Sequence, residues 1–341
     1  MNERYAPKQP GSFSLDGLVE YDFGENERKF TPLSRYCYSV LIDENGQKYF
    51  SKQLAGNNSE SDEKWSKYLE RESAWAEFAT AVGEAHAELG FTGLSPVFTE
   101  PRSEGGVQRL VYPFIDAGFL SEPHMTDALH DPATLSRYSA VLKTLDTFAE
   151  NWVPTRPIDN EDEHTPFDQV DKSWNEWLKV GNLYEDGHLT EEVVEKARQL
   201  VNDYSPFVTP RLQHGDFVPW HLFSYHDGDA DSWISFDGEH ASLMKPRFYD
   251  LAYSYSRLFT RSDDKELAAQ LLHEFVALGV TNGEFTHEEF HQAFVPVLMS
   301  RSIGMFLDAH FDEQKGEDYT AEAKDLFERC QARSLEALIQ I

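Results

Sequence analysis

Asn45-Gly46 lies between two short segments that have the composition of β-strands. The first segment, 36–42, is Tyr-Cys-Tyr-Ser-Val-Leu-Ile, and the second, 48–54, is Lys-Tyr-Phe-Ser-Lys-Gln-Leu. Asn-Gly between such segments is the strongest short signal for a β-hairpin, because both residues tolerate positive φ angles. The sequence therefore predicts that the N-terminal part of the chain starts an antiparallel sheet.

The pattern that follows predicts a bilobal α+β fold. One long helix is expected over about 64–89, ending at Gly90, and two further strands are expected over 95–99 and 108–115. After Gly118 the apolar spacing becomes mainly helical. These segments predict a small N-terminal lobe with an antiparallel sheet and one long helix, residues 1–115, and a larger, mainly helical lobe, residues 116–341.

The amino-acid composition argues against several functional classes. The 341 residues include 30 Lys plus Arg and 60 Asp plus Glu, which gives a formal net charge of −30. This charge argues against a nucleic-acid partner. The negative charge would attract a cationic small substrate, or it would only keep the protein soluble. The second interpretation is favoured. No membrane-spanning stretch and no signal peptide are recognised, and the 2 cysteines lie far apart, so a cytoplasmic protein is expected.

The segments 212–223 and 233–239 carry the most informative chemistry. Each has a strand-like apolar part and an acidic residue, Asp216 in the first and Asp237 in the second. A polar, turn-rich stretch, 224–232, joins them, so they are expected to form a second hairpin. Two carboxylates suit phosphoryl transfer from a nucleotide, in which one orients the attacking hydroxyl and another holds magnesium.

Two motifs in this region resemble a known family. His214-Gly-Asp216 with a polar residue at 221 resembles a catalytic loop, His-Gly-Asp-x-x-x-x-Asn. The segment 236–252, Phe-Asp-Gly-Glu-His-Ala and later Tyr-Asp-Leu-Ala, resembles Ile-Asp-x-Glu-x-Ala…Pro-x-x-Asp-Leu-Ala. Both belong to the aminoglycoside phosphotransferase-like branch of the protein-kinase-like superfamily, and the resemblance covers roughly 34–258.

The resemblance implies roles for four residues of this segment. Asp216 corresponds to the catalytic aspartate, which accepts the proton of the acceptor hydroxyl. His214 corresponds to the loop histidine, which more often supports the backbone than performs chemistry. Asp237 corresponds to the metal-binding aspartate, although an Asp-Gly turn also explains it. Asp250 corresponds to an aspartate that steadies the catalytic loop.

His221 departs from the pattern, because the family usually has Asn at this position. An imidazole nitrogen suits softer divalent ions better than it suits magnesium. Three interpretations stay open. His221 ligates the metal, with Mn²⁺ tolerated; or water replaces the Asn and Asp237 remains the main protein ligand; or the enzyme is weak or inactive.

The resemblance also implies nucleotide contacts in the N-terminal lobe. Lys52 corresponds to the lysine that contacts the α- and β-phosphates, and Glu72 is its expected partner, with Glu70 as the alternative. Ser34 is a candidate phosphate contact, but a plain strand turn explains it equally well. Tyr112 and Ile115 belong to an expected hinge, 111–115, that offers backbone groups to adenine.

The expected function is transfer of the γ-phosphate of ATP, with Mg²⁺ or Mn²⁺, to a hydroxyl of a small molecule. The acceptor is expected to be an amino sugar, an amino alcohol or a sugar. One rival is a nucleotide-binding pseudo-kinase with little or no transfer activity. A second rival is a helical binding protein in which the motifs are coincidental. Neither the acceptor nor the oligomeric state follows from the sequence.

Overall fold

The structure is a computed structural model. It describes residues 15, 19–22, 36–55, 59–102, 105–115, 122–155, 174–175, 189–227, 230–311, 316–332, 336 and 338. Its strands are β1 Val19–Asp22, β2 Tyr36–Ile42, β3 Lys48–Leu54, β4 Phe91–Gly93, β5 Phe98–Pro101, β6 Val107–Pro113, β7 Pro210–Gln213, β8 Leu222–Asp227, β9 Ala230–Ser235 and β10 Ser242–Pro246. Its α-helices are α1 Ser59–Ala85, α2 Glu122–Leu129, α3 Pro132–Phe148, α4 Glu191–Tyr204, α5 Tyr249–Thr260, α6 Lys265–Thr281, α7 His287–Phe311 and α8 Gly316–Gln331.

The chain divides into two compact units. The first unit contains residues 1–119, 153–159 and 222–241, and the second contains 120–152, 160–221 and 242–341. The sequence placed the second hairpin in the C-terminal lobe, whereas its two strands, β8 and β9, belong to the first unit. The predicted boundary after residue 115 stays a prediction, because residues 116–121 lie outside the described part of the chain.

The first unit contains the predicted antiparallel sheet, in the strand order β1-β2-β3-β6-β5. Strands β2 and β3 pair from Tyr36↔Leu54 to Ile42↔Lys48. The Asn-Gly prediction is correct: Gly46 has a φ of 79°, and its N–H donates to the carbonyl of Asp43 at 2.9 Å. Strand β5 begins three residues later than predicted, because Pro96 cannot donate to a sheet partner.

Helix α1 covers one face of this sheet. Its buried Leu69 joins residues from β2, β3 and β6 in one apolar cluster, which includes Leu54, Leu110 and Tyr112. The helix begins five residues earlier than predicted, at Ser59. A short 3₁₀ turn follows, and the left-handed φ of 56° at Gly90 ends it, so the predicted stop is confirmed.

The second hairpin of the first unit belongs to a three-stranded sheet, β4-β9-β8. Strands β8 and β9 are antiparallel, with Leu222↔Ser235 at the open end, and β9 pairs in parallel with β4. Asp237 lies two residues beyond the end of β9, the central strand of this sheet.

The second unit is mainly helical and also holds a small antiparallel pair of strands, β7 and β10. Side chains cap the N-termini of three helices. Asp131, Thr190 and Asp264 accept hydrogen bonds from free backbone N–H groups in the first turns of α3, α4 and α6, respectively. Among the helices in the described part of the chain, none is both long and apolar enough to cross a membrane.

The buried Asp146 on α3 accepts hydrogen bonds from two arginines, one at the start of β7 and one directly after β10. Arg247 donates to the carboxylate of Asp146 on α3 at 2.8 and 2.9 Å, and Arg211 on β7 donates to the backbone carbonyl of Asp146 at 2.9 Å. Phe248, the next residue, takes a left-handed φ of 68°. Its ring packs on Phe275 and Phe290 in the core, which stabilises this unusual backbone and positions the first turn of α5.

Candidate active site

Lys52 lies on β3 and is only 4% exposed. Its ammonium donates to Glu72 at 2.6 Å, to Glu239 at 3.0 Å and to Asp237 at 3.1 Å. It also lies 4.5 Å from the ring centroid of Tyr36, a cation–π distance. These four ionisable residues, Lys52, Glu72, Asp237 and Glu239, form the lysine cluster of the first unit.

Glu72 fixes the position of Lys52 from helix α1. Its Oε2 binds the ammonium, and its Oε1 accepts the phenol proton of Tyr112 at 2.6 Å. Both oxygens of this buried carboxylate are therefore bonded. Of the two glutamates considered from the sequence, Glu72 contacts Lys52, and Glu70 approaches Gly106 instead.

The turn that carries Asp237 and Glu239 is held against helix α1. Gly238 lies so close to Trp75 that an added Cβ would come within 2.5 Å of the Trp75 Cβ. The indole N–H of Trp75 donates to Ser235 at 2.9 Å, which ties the end of β9 to the same residue. Asp237 itself has a left-handed φ of 60°. Close packing thus places both carboxylates beside Lys52.

The electrostatics favour a charged lysine. Burial alone would lower the pKa of Lys52, but Glu72, Asp237 and Glu239 outweigh it and hold this pKa well above its ordinary value. Burial raises the pKa of Glu72, whereas Lys52 and the Tyr112 hydroxyl lower it. Burial also raises the pKa of Tyr38 to about 12, so this neighbour stays neutral at physiological pH.

The lysine cluster also fits a divalent cation. Glu72, Asp237 and Glu239 each have an oxygen within 4.8 Å of the others. Three carboxylates around one ammonium leave an excess of negative charge, and carboxylate oxygens are the ligand type that Mg²⁺ prefers. Because both oxygens of Glu72 are bonded already, Asp237 and Glu239 are the better candidates for metal ligands.

The second unit contains the loop that carries Asp216. The carboxylate of Asp250 accepts the backbone N–H of His214 at 2.7 Å and that of Gly215 at 2.8 Å, one on each oxygen. Gly215 has a φ of 86°, which a side-chain-bearing residue would rarely adopt. Gln213 completes the brace by accepting the N–H of Asp250 at 3.0 Å. The backbone before Asp216 is therefore fixed by the first turn of α5.

Both histidines of this loop bond to Asp216. Nδ1 of the fully buried His214 accepts the N–H of Asp216 at 3.2 Å, so this ring positions the loop. Nδ1 of His221 lies 2.7 Å from the backbone carbonyl of Asp216. Since a carbonyl only accepts, Nδ1 of His221 carries a proton and donates this hydrogen bond.

Asp250 has an unusual environment for a carboxylate. Burial raises its pKa to about 7, and the N–H groups of Gly215 and His214 oppose that rise. Burial also raises the pKa of Tyr253, one turn later on α5; Arg257 opposes that rise and the charge of Asp216 adds to it.

Three further residues were predicted to contact the nucleotide: Ser34, Tyr112 and Ile115. Ser34 lies outside the described residues. The side chain of Tyr112 points into the core and bonds Glu72, so only its backbone could offer the hinge contact that the sequence suggested. Ile115 is half-buried and lies just beyond the end of β6.

Glu239 was missed as a candidate. It was part of the quoted motif, two positions after Asp237, but received no role. The spacing did contain a signal, because an acidic residue two positions beyond a proposed metal ligand, across a glycine turn, can return to the same ion. The left-handed conformation at Asp237 brings Glu239 to Lys52, and the sequence did not indicate that conformation.

Searches found no matching family model and no matching curated protein. Solved structures do match. An ethanolamine kinase from Plasmodium vivax aligns with a TM-score of 0.55 at 13% identity, over 92% of this chain and 82% of that one. An amicoumacin kinase in complex with AMP-PNP and Ca²⁺ aligns with a TM-score of 0.54 at 14% identity, over 92% and 90%. An aminoglycoside 2'-phosphotransferase in complex with GDP gives 0.50 at 14% identity, over 94% and 93%.

At these identities the likeness establishes the fold. The chain shares its fold with these two kinases and this phosphotransferase, as the motifs suggested. The predicted fold class is confirmed, with an antiparallel sheet and one long helix in the N-terminal region and a helical C-terminal region. The structural neighbours named above are kinases and phosphotransferases that act on small molecules.

Proposed function

We propose that this protein is an ATP-dependent phosphotransferase that moves the γ-phosphate to a hydroxyl of a small molecule. The observation that carries the proposal is the buried ammonium of Lys52, held at once by Glu72 from α1 and by Asp237 after β9. A fully desolvated lysine held by several carboxylates is costly to build and is common at functional sites. The fold of the small-molecule kinases supports the same conclusion.

The lysine cluster would bind the nucleotide phosphates. Glu72 orients Lys52, and the ammonium would contact the phosphate oxygens as charge moves onto them during transfer. Asp237 and Glu239 would hold Mg²⁺, or Mn²⁺, which would supply charge neutralisation at the phosphates. The residues of the cluster thus contribute positioning and electrostatic stabilisation, with no covalent step.

Asp216 would act on the acceptor. Its carboxylate accepts a hydrogen bond from the acceptor hydroxyl and takes that proton late in the transfer. The hydroxyl oxygen forms the new bond to the γ-phosphorus, the bond to the β-γ bridging oxygen breaks, and ADP leaves. Asp250, His214 and His221 are positioning residues, because each acts by bonding the backbone of the loop.

The pseudo-kinase alternative rests on the Asn-to-His departure at position 221. The geometry supports activity, because His221 still bonds the loop beside Asp216 and because Asp237 and Glu239 both contact Lys52. A carboxylate pair of this kind supplies the hard oxygen ligands that a magnesium nucleotide needs. We therefore favour a working enzyme.

The test is ADP release with a panel of amino sugars, amino alcohols and sugars, with Mg²⁺ and Mn²⁺ in parallel. Wild-type protein should release ADP only when ATP and a suitable acceptor are both present. Asp216→Ala should abolish this release, whereas Lys196→Gln, an exposed residue paired only with Glu192 in the described contacts, should not change it. Equal release by wild-type and Asp216→Ala would refute the proposal.

A further inference from the structure

Helix α5 carries three buried serine and threonine side chains, Ser254, Ser256 and Thr260. A hydroxyl in the interior of a helix usually bonds a carbonyl of its own helix. Ser256 and Thr260 do so, since they donate to the carbonyls of Tyr253 at 2.9 Å and of Ser256 at 2.7 Å. Ser254 is the exception, because its hydroxyl bonds groups outside α5.

The hydroxyl of Ser254 donates to the backbone carbonyl of Phe217 at 2.7 Å. Phe217 directly follows Asp216, the proposed base. Asp250 and Ser254 are four residues apart, so they lie on the same face of α5. Asp250 bonds the N–H groups of the two residues before Asp216, and Ser254 bonds the carbonyl of the residue after it. One face of α5 therefore holds the loop on both sides of Asp216.

A second buried hydroxyl fixes the direction of this hydrogen bond. The phenol oxygen of Tyr138, on α3, lies 2.8 Å from the Ser254 oxygen. A carbonyl only accepts, so the single hydroxyl proton of Ser254 goes to Phe217, and the phenol of Tyr138 donates to Ser254. Burial raises the pKa of Tyr138, so the phenol keeps this proton at physiological pH. The hydrogen bonds therefore run in one direction, from Tyr138 through Ser254 to Phe217.

Ring contacts hold the side chain of Phe217 in the same place. Its ring stacks on Tyr138, with centroids 6.0 Å apart and an angle of 17° between the rings. The ring of His214 meets it edge-on, with centroids 5.6 Å apart. Tyr138 and Phe217 are both fully buried. Tyr138 thus supports Phe217 twice, through the stacked rings and through the hydroxyl of Ser254.

The chemistry of the Tyr138–Ser254 pair exceeds what packing needs. Buried hydroxyl groups cost free energy unless they are hydrogen-bonded, and an apolar pair of similar shape can be nearly neutral in their place. An apolar pair, however, would give no donor to the Phe217 carbonyl. The two hydroxyl groups are therefore explained by what they do for the backbone beside Asp216.

We propose that Ser254, oriented by Tyr138, is a positioning residue for Asp216. This inference rests on the proposed phosphotransfer with Asp216 as the base. Asp250 fixes the backbone on the N-terminal side of Asp216, and Ser254 fixes it on the C-terminal side. With the backbone fixed on both sides, the carboxylate keeps the position that proton transfer from an acceptor hydroxyl requires.

The experiment compares wild-type protein with Ser254→Ala, Tyr138→Phe and the double variant. Ser256→Ala and Tyr255→Phe are the matched controls, because each removes a buried hydroxyl from α5. The first is bonded to its own helix, and the second donates to the Leu338 carbonyl. ADP release is measured with whichever amino sugar, amino alcohol or sugar wild-type protein turns over fastest. AMP-PNP affinity is measured by calorimetry, and stability by urea denaturation.

Ser254→Ala should lower kcat at least about tenfold, because a misplacement of about 1 Å can cost about a hundredfold. Its AMP-PNP affinity and its KM for ATP should stay at the wild-type values, since Ser254 and Tyr138 do not belong to the lysine cluster. Tyr138→Phe should lower kcat less, because Ser254 can still donate to Phe217. The two controls should keep the wild-type kcat, whatever their effect on stability.

The double variant separates positioning from stability. Ser254→Ala removes the oxygen that accepts the phenol proton of Tyr138, which should lower the stability in urea. Removing the phenol hydroxyl as well should restore part of that stability. The kcat of the double variant should nevertheless stay as low as that of Ser254→Ala, because Ser254 no longer donates to Phe217. A merely structural role would make kcat recover together with stability.

Two results would overturn the inference: a wild-type kcat in Ser254→Ala, or a kcat that recovers with stability in the double variant. If Asp216→Ala abolishes ADP release while Ser254→Ala does not lower it, the proposed function stands and this inference falls. If no compound supports ADP release by wild-type protein, the proposed function falls, and amide hydrogen exchange of residues 214–218 decides on Ser254. Faster exchange in Ser254→Ala than in Ser256→Ala supports its hold on the loop, and equal exchange contradicts it.

Discussion

The phenol of Tyr112 donates to Oε1 of Glu72 at 2.6 Å, on the carboxylate oxygen opposite the one that Lys52 binds. Tyr112, near the end of β6, thereby fixes the position of Glu72, and Glu72 fixes the position of Lys52. The sequence assigned Tyr112 to a nucleotide hinge, but its side chain has this internal role. Orientation of the lysine cluster consequently depends on a residue that carries no charge at physiological pH.

Replacing Tyr112 with Phe should test this dependence. The change leaves one buried oxygen of Glu72 without its donor, and a hydrogen bond to a charged group is worth about 1.5–3 kcal/mol. We expect a loss of unfolding free energy of that size in urea, together with a higher KM for ATP. Tyr204→Phe, which removes a hydroxyl from a ring that packs on Phe207 and His291, is the control. An unchanged KM for ATP in Tyr112→Phe would contradict this role.

Gly238→Ala should affect activity more than stability. The added methyl group would clash with Trp75, so the turn must move, and overpacking of this kind costs about 1–3 kcal/mol. Moving the turn displaces Asp237 and Glu239 from Lys52, and turnover should fall strongly. Gly46→Ala is the matched control, because Gly46 has a φ of 79° and open space around it. That control should lose stability but keep turnover; equal turnover in both variants would show that the turn tolerates displacement.

Asp250 should give the protein a measurable pH dependence. Its pKa is about 7 in the folded protein, because burial raises it from an ordinary value of 3.8. Between about pH 4 and pH 7 the folded state therefore holds a proton that the unfolded state has released. The contribution of Asp250 to the free energy of unfolding should fall as the pH rises through this window, by at most about 1.4 kcal/mol per pH unit.

Urea denaturation of wild-type protein and Asp250→Asn from pH 4 to pH 8 measures this contribution. The stability of wild-type relative to the variant should decline up to about pH 7 and then stay level. Asp131→Asn is the control: hydrogen bonds from Thr134 lower the pKa of Asp131, so its contribution should stay level over the same range. A relative stability of wild-type that rises with pH would show that the Asp250 carboxyl is not protonated by burial.

His221 should be replaceable by Asn but not by Ala. Its Nδ1–H donates to the Asp216 carbonyl at 2.7 Å, and the amide of Asn can also donate to a carbonyl. We expect His221→Asn to keep turnover with both Mg²⁺ and Mn²⁺, because the hydrogen bond that positions the loop is retained. His221→Ala should lose turnover with both ions. Full activity of His221→Ala would mean that the loop needs no support from this residue.

Local sequence signals predicted much of the framework. Asn45-Gly46 placed the first hairpin, Gly90 ended the long helix region, and the motif order led to the fold. The pairing of Lys52 with Glu72 also followed from the sequence, because the family supplied the relationship. These features depend on short-range preferences or on residues that the motif names directly.

Other features depend on packing between distant segments. The close approach of Gly238 to Trp75 and the left-handed backbone of Asp237 bring Glu239 to Lys52, and no local pattern specifies either. The grouping of β8 and β9 with the first unit arises from parallel pairing of β9 with β4, some 140 residues earlier in the chain.

The most direct test of the account separates nucleotide binding from transfer. Wild-type protein, Lys52→Met and Asp216→Asn are each measured for AMP-PNP affinity and for transfer of ³²P from γ-labelled ATP to an acceptor. Asp216→Asn should bind the nucleotide like wild-type but transfer at least about a hundredfold more slowly, the usual loss for a general base. Lys52→Met should lose both. Transfer by Asp216→Asn at the wild-type rate would contradict the central claim.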